Sequence, residues 1–218
     1  MQSALEVENL SHEFTSEKVV LKNLNFSVRS KEKIVILGSN GSGKTTLLKI
    51  LANLINPTIG TVKLFGQSVD ILSKRFRKDV AWVPASEHGF YNHLNGLENL
   101  LFFASLQGIS KTQALNEIKK WSSYLSLDDA LRTPFFLCSS GMKQTLAITR
   151  AFLIQPKILI LDEPTRSLDS SAAKMFREAL KKLPTECSII FSTHSKIEAD
   201  ELGDHQIELK KVAHVPSF

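Results

Sequence analysis

Two stretches of this chain hold residues whose types and spacing suit work on a phosphate anhydride. The first is Gly38-Ser39-Asn40-Gly41-Ser42-Gly43-Lys44-Thr45-Thr46, directly behind the apolar run Ile34-Val35-Ile36-Leu37. Its pattern of Gly, four residues, then Gly-Lys-Thr is that of a phosphate-binding loop. Its three glycines let the backbone turn tightly after a strand, and a helix is expected to begin at about Lys44. Successive amide N–H groups then point into one concavity that suits phosphate oxygens. Lys44 would reach the β- and γ-phosphates of a nucleotide as a point charge, and the Thr45 hydroxyl would hold Mg²⁺. The second stretch is Ile158-Leu159-Ile160-Leu161-Asp162-Glu163-Pro164-Thr165. An apolar strand has no structural need of two carboxylates at its C-terminal end, and open α/β sheets bind ligands along that edge. Asp162 suits a Mg²⁺ ligand opposite Thr45, acting through water. Glu163 is placed to orient or deprotonate an attacking water.

The elements that must carry these stretches follow from periodicity and breakers. Leu5, Val7 and the segment Val19 to Val28 read as β structure, and Ile34 to Leu37 reads as a central parallel strand. Gly60 to Gly66 is a strand bounded by glycines, and Val80 to Val83 is another, closed by Pro84. From Asn95 to about Leu153 the chain is mostly helical, with capping boxes predicted at Asn95-x-x-Glu98 and Ser110-x-x-Gln113. Ala114, Ile118, Trp121 and Leu125 lay one apolar stripe along a helix, which reads as core packing. Ser139-Ser140 caps a further helix that runs through Leu153 and stops near Pro156. The β/α alternation then resumes: Ile158 to Leu161, a helix around Ala172 to Leu183, a strand at Ser188 to Phe191, and a short helix with Ile197 and Leu202. The expected fold is therefore α/β, with a helical block over 89–154 inserted into an α/β core of 1–88 and 155–218, all within one domain.

At 218 residues, 43% apolar and 22% charged, the chain has the composition of a soluble globular protein with a proper core. A net charge of +5 suits a polyanionic ligand or an anionic membrane surface without establishing either. The basic run Lys74-Arg75-Phe76-Arg77-Lys78 reads as solvated surface, and no nucleic-acid partner is expected. Cys138 and Cys187 make neither a disulfide framework nor a metal cluster, which points to a reduced, cytosolic compartment. No secretory signal is legible at the N-terminus, and no run approaches the roughly 18 apolar residues of a membrane span. Any membrane spans must come from other chains.

Further along, the sequence resembles the nucleotide-binding subunit of ABC transporters over nearly its whole length. Cys138-Ser139-Ser140-Gly141-Met142-Lys143-Gln144 is similar to the family's signature segment, departing from Leu-Ser-Gly-Gly-Gln at Cys138, Ser140 and Met142. Ser167-Leu168-Asp169 resembles the D-loop, and Thr193-His194 the switch histidine. Phe14 sits where the family places an aromatic under the adenine ring, although by itself it reads equally as core. The resemblance implies a phosphate-loop NTPase core with a parallel sheet, an antiparallel β-subdomain at the N-terminus and an α-helical subdomain. It implies an ATPase that uses ATP and Mg²⁺, with His194 hydrogen-bonding the γ-phosphate or the attacking water. Ser139 and the Gly141 amide would serve a nucleotide held by a second subunit, so that two ATP molecules lie between two chains of a homodimer or heterodimer. The partner would be an integral membrane permease in a separate chain, met through about Gly89 to Gly108, on the cytoplasmic face of the membrane.

The Ser-Gly-Met-Lys-Gln form of the signature and the stretch Glu87-His88-Gly89-Phe90-Tyr91-Asn92-His93-Leu94 resemble subunits that serve exporters. Two features pull on that reading. Most members carry Gln after the equivalent of Trp82-Val83-Pro84, where this chain has Ala85, so a regulatory subunit with weak hydrolysis is an alternative. Thr145 also replaces a basic residue frequent after the signature. A soluble ABC-type ATPase acting on DNA or ribosomes is the other alternative. Against it, no heptad run separates Lys44 from Ser139, and the chain holds a single nucleotide-binding half.

Overall fold

The computed structural model describes residues 3–15, 18–68, 78–86 and 89–212. In chain order the N-terminal segment forms β1 (Ser3–Glu13) and β2 (Val19–Arg29), followed by β3 (Lys33–Leu37) and, after the glycine loop, α1 (Lys44–Leu51). Strands β4 (Ile59–Leu64), β5 (Gln67–Ser68) and β6 (Val80–Val83) precede the helical stretch. That stretch comprises α2 (Gly96–Leu106), α3 (Lys111–Leu125), α4 (Asp128–Arg132), a 3₁₀ turn at Phe135–Leu137, and α5 (Ser140–Leu153). The chain continues as β7 (Ile158–Asp162), α6 (Ser170–Leu180), β8 (Ser188–Thr193), α7 (Lys196–Leu202) and β9 (His205–Glu208). Two compact units share these elements: Met1–Trp82 with Lys157–Asp162 and Glu186–Phe218, and Val83–Pro156 with Glu163–Thr185.

The first unit holds both sheets. One has strand order β2-β1-β4-β5, and its neighbours run antiparallel. The other has order β6-β7-β8-β3-β9, in which β7, β8, β3 and β9 run parallel. Every residue of β7 and of β8 is buried, as near-continuous apolar runs require in a parallel sheet covered on both faces. Ile34 and Ile36 of β3 share one core with Leu47, Leu48 and Leu51 of α1 and with Leu5, Val7 and Leu10 of β1. A two-sheet α/β architecture is therefore what the structure shows, with β3 an interior parallel strand between β8 and β9, one place from the middle position expected of it. Strand β8 runs two residues beyond Phe191, and β5, α4 and β9 are additional to the sequence reading. Residues 74–77 of the basic run, and Glu87 and His88, lie outside the described residues.

The second unit is helical. Both predicted capping boxes form: Asn95 Oδ1 accepts the Glu98 N–H at 2.8 Å, and the Ser110 hydroxyl accepts the Gln113 N–H at 3.3 Å. The stripe Ala114, Ile118, Trp121 and Leu125 is the buried face of α3, where Trp121 meets Phe152 edge-on at 4.5 Å. Its reading as core packing holds. Helix α6 starts two residues before the expected Ala172, because the Asp169 carboxylate caps it by accepting the Ala172 N–H at 2.8 Å, and it ends three before Leu183. Among the described residues no helix is long and apolar enough to cross a membrane.

Candidate nucleotide-binding site

In the first unit β3 ends at Leu37 and α1 begins at Lys44, so the intervening loop is Gly38–Gly43. Gly43 stands as N-cap with φ 95° and ψ 7°, and Gly41 has φ 79°, both in the left-handed region that favours glycine. Gly38 is required for space instead. A Cβ there would lie 2.5 Å from Ser42 Oγ and 2.6 Å from the Leu209 carbonyl oxygen. Ser39, Asn40, Gly41 and Thr45 are exposed along the loop, and Thr46 is half-buried.

The polar groups of the loop are poised for an anion. Lys44 is 5% exposed, and its ammonium donates to the carbonyl oxygens of Gly38 at 2.7 Å and Ser39 at 3.3 Å. Ser42 is 2% exposed, and its hydroxyl is buried with no hydrogen-bond partner among the described residues. Buried hydroxyls are nearly always paired, so this one fits a ligand oxygen. Thr45 Oγ1 donates to Asp162 Oδ2 at 2.7 Å, and Ser192 Oγ donates to Asp162 Oδ1 at 2.6 Å. The loop-helix junction and the end of β7 are thereby brought together, and both carboxylate oxygens of the buried Asp162 are held. Ser192 is a site residue that the sequence reading missed. The structure supplies what the sequence lacked, a parallel register in which Ile158 pairs with Ser188 and Asp162 therefore stands opposite Ser192.

Two further candidates lie in this unit. Phe14 is 57% exposed and so is not core. The His12 ring packs edge-on against it at 4.9 Å, and the turn that carries it is closed by the Phe14 N–H donating to the Lys18 carbonyl at 3.2 Å. The chain then reaches Val20, whose carbonyl oxygen lies 3.1 Å from where a Cβ on Gly43 would sit. His194 is exposed just past β8. Its loop is fixed on both sides. Thr193 Oγ1 donates to the buried Glu198 carboxylate at 2.6 Å, and the Ser195 hydroxyl accepts the Glu198 N–H at 3.3 Å to cap α7.

The second unit holds the remaining candidates. Glu163, next in sequence to Asp162, has φ 43° and lies 3.6 Å from Arg166 in an i,i+3 ion pair, with its side chain 12% exposed. Ser139 caps α5, its hydroxyl accepting the Met142 N–H at 3.2 Å. A Cβ on Gly141 would lie 3.3 Å from the Ser167 carbonyl oxygen, so the first turn of α5 rests against the Ser167-Leu168-Asp169 turn. Cys138 is buried, its thiol facing the carbonyls of Thr133 and Pro134, and burial pushes that thiol up from its ordinary range. Gln144, the last residue of the signature-like segment, is 1% exposed, and neither amide atom has a hydrogen-bond partner among the described residues. Ala85 is half-buried.

Set beside known proteins, residues 21–166 match the family model of the ABC transporter. The chain is 32% identical to the ergothioneine transport ATP-binding protein EgtV of Helicobacter pylori, over 96% of this chain and 99% of that protein. It is 34% identical to the molybdate/tungstate import ATP-binding protein WtpC of Pyrococcus abyssi, over 92% of this chain and 58% of that protein. Among solved structures, the ATP-binding cassette MJ0796, captured as a dimer in a post-hydrolysis state with ADP and Pi, superposes with a TM-score of 0.84 at 25% identity, covering 94% of each chain. With a family match over most of its length and a relative shared end to end, the chain belongs to the ABC transporter family, as an ATP-binding subunit with ATPase function.

Proposed function

We propose that this chain binds ATP with Mg²⁺ at the Gly38–Thr46 loop, hydrolyses it, and uses the cycle to drive an exporter. The observation that carries the site is the hydroxyl–carboxylate–hydroxyl chain Thr45–Asp162–Ser192 beside the loop. Its oxygens are the hard donors that a small divalent cation prefers, alongside phosphate oxygens. When bound, Mg²⁺ would supply charge neutralisation of the β- and γ-phosphates. The loop amides of Gly38 to Thr46 and the Lys44 ammonium would then bind and orient the polyphosphate. Ser42 would give its unpaired hydroxyl to a phosphate oxygen, and Phe14 would stack under the base. Glu163 would accept the proton of the attacking water, and His194 would hold the γ-phosphate or that water. Ser139 and the Gly141 amide, at the start of α5, would serve a nucleotide bound to a second copy or a related chain.

The site reading is tested with Asp162→Asn and Lys44→Ala. Asp162→Asn should abolish the Mg²⁺ dependence of ATP binding and reduce turnover by about two or more orders of magnitude, as loss of a charge-stabilising group in phosphoryl transfer does. Lys44→Ala should lose ATP binding itself. Wild-type turnover in either variant would refute the site.

The outward direction rests on the Ser140-Gly141-Met142-Lys143-Gln144 form of the signature, which resembles that of subunits serving exporters. The membrane partner is a separate permease chain, and the working location is the cytoplasmic membrane face. Supplied with its permease in inside-out vesicles and given ATP on the outside, the chain should drive solute into the lumen. ATP-driven loss from preloaded vesicles would mark an importer instead.

A further inference from the structure

The segment that follows β9 is laid along the phosphate loop. Strand β9 pairs in parallel with β3 from Ile34↔His205 to Leu37↔Glu208, and the ladder gains one more bond when the Leu209 N–H donates to the Leu37 carbonyl at 2.7 Å. Leu37 is the last residue before the loop. The Leu209 side chain is buried, and its carbonyl oxygen lies 2.6 Å from the position of a Cβ on Gly38. Two residues further on, Lys211 Cε and Nζ lie 3.4 and 3.8 Å from the position of a Cβ on Gly41. Leu209 therefore braces the entry of the loop, and the Lys211 side chain lies beside its exposed middle.

The charge at this place has no structural use. Lys211 is exposed and makes no hydrogen bond or ion pair with any other described residue. Lys44 is the inner cation of the loop, turned onto the Gly38 and Ser39 carbonyls. A second ammonium alongside Gly41 raises the positive potential where a polyanion would sit, within a Debye length of about 8 Å at physiological salt. The segment also lies beyond residues 21–166, the part that matches the family model.

We propose that Lys211 is a second cation of the nucleotide site, one that strengthens binding in proportion to the charge of the phosphate chain. The proposal rests on the loop being the ATP site. It makes Lys211 a determinant of ATP over ADP and AMP. The interaction crosses solvent, so its size is that of a screened surface pair, about two- to fivefold in affinity.

Titration calorimetry of ATP, ADP and AMP with the full chain, at low and high salt, tests this in Lys211→Ala, Lys211→Arg and Lys211→Glu. At low salt Lys211→Ala should weaken ATP about two- to fivefold, ADP less and AMP least. Lys211→Glu should lose more, and Lys211→Arg should keep wild-type affinity. High salt should shrink every difference. The unfolding temperature without nucleotide should match wild type in all three. Equal losses for the three nucleotides, losses insensitive to salt, or full ATP affinity in Lys211→Glu would overturn the proposal. Lys44→Ala separates the two readings. If it loses ATP while Lys211→Glu does not, only the role of Lys211 fails; if it binds ATP normally, the loop reading fails first.

Discussion

Asp162 shows how little of a site one residue can supply alone. Its position at the end of an apolar strand was legible, but its geometry is set by two hydroxyls, Thr45 at 2.7 Å and Ser192 at 2.6 Å. Ser192 carries no local signal, because a serine after Ile189-Ile190-Phe191 looks like any strand end. Only the parallel register of β7 and β8 gives it meaning. Phe14 is the opposite case, since its position hinted at a base platform while its type fitted a core equally well. The ring is 57% exposed, in T-shaped contact with His12 and with the Lys18 ammonium 6.0 Å over it, so it stands open to solvent rather than packed in a core. Phe14→Ala should weaken ATP binding by about 1–3 kcal/mol, the size of one aromatic–base stack, and leave the choice between ATP and GTP nearly unchanged. Unchanged ATP affinity would place the base elsewhere. At Ala85 the chain lacks the Gln that the resemblance leads one to expect, and on the proposed mechanism a carbonyl oxygen for Mg²⁺ or the attacking water would then be missing. A hydrogen bond to a charged group is worth about 1.5–3 kcal/mol, which corresponds to about one to two orders of magnitude in turnover. Ala85→Gln should raise kcat by that order and leave the ATP Kd nearly alone. If it does nothing while Glu87→Ala lowers turnover, a neighbouring acid does the work and this account is wrong.

Among the elements, those legible in sequence were the ones with strong local physics. The apolar runs of β3, β7 and β8 have one place to go, the middle of a covered parallel sheet. The helices α2, α3 and α5 announce themselves by caps that form as expected. The elements that were not legible are short or polar. Strand β9, His-Gln-Ile-Glu, has one apolar residue, and what makes it a strand is the open edge of β3. Helix α4 is five residues long with no side-chain cap. Missing β9 also hid Leu209 and Lys211, whose place beside the loop follows from that strand. The segment 89–108, which the resemblance assigned to contact with a permease, contains a device of its own. Asn99, fully buried on α2, accepts the Tyr91 N–H at 2.8 Å and donates to the carbonyls of Tyr91 at 3.0 Å, Leu94 at 3.1 Å and Asn95 at 3.1 Å. One side chain therefore shapes the whole turn that leads into the helix. Asn99→Ala would strand the Tyr91 N–H, at about 1–3 kcal/mol for a buried group left unpaired, and would remove the side-chain donations to three carbonyls, while the Tyr91 C=O keeps the Leu94 N–H at 3.3 Å. We expect a loss of about 2–4 kcal/mol in urea unfolding and a fall in Tm on the order of 10 °C. A change within about 0.5 kcal/mol, the range of ordinary surface substitutions, would mean the turn is held by its aromatic packing instead.

At the scale of the whole molecule, two anion-ready features belong to different units of the chain. The phosphate loop lies in the first, and the Ser139 cap with the Gly141 amide lies in the second. A helix start with free amides attracts phosphate, and a γ-phosphate needs donors on every side. The proposal that each nucleotide is completed by the signature segment of another chain accounts for both features at once. Electrostatics favours it. Each chain carries a net charge of +5, so two chains repel until polyanionic ATP lies between them. Dimerisation should therefore depend on ATP and weaken as its phosphates are lost. Glu163→Gln isolates this step, because the amide keeps the size and hydrogen-bonding reach of the carboxylate but cannot take a proton from water. The variant should bind ATP as wild type does, turn over about a hundredfold or more slower in keeping with lost general-base catalysis, and accumulate as an ATP-bound dimer in size-exclusion chromatography. ADP should return it to monomer, and Lys44→Ala added to it should abolish the dimer by removing the nucleotide. A monomer under every nucleotide condition would refute the role of Glu163 and of ATP as the bridging ligand. A dimer that forms equally with ADP would show that the chains meet through some other surface.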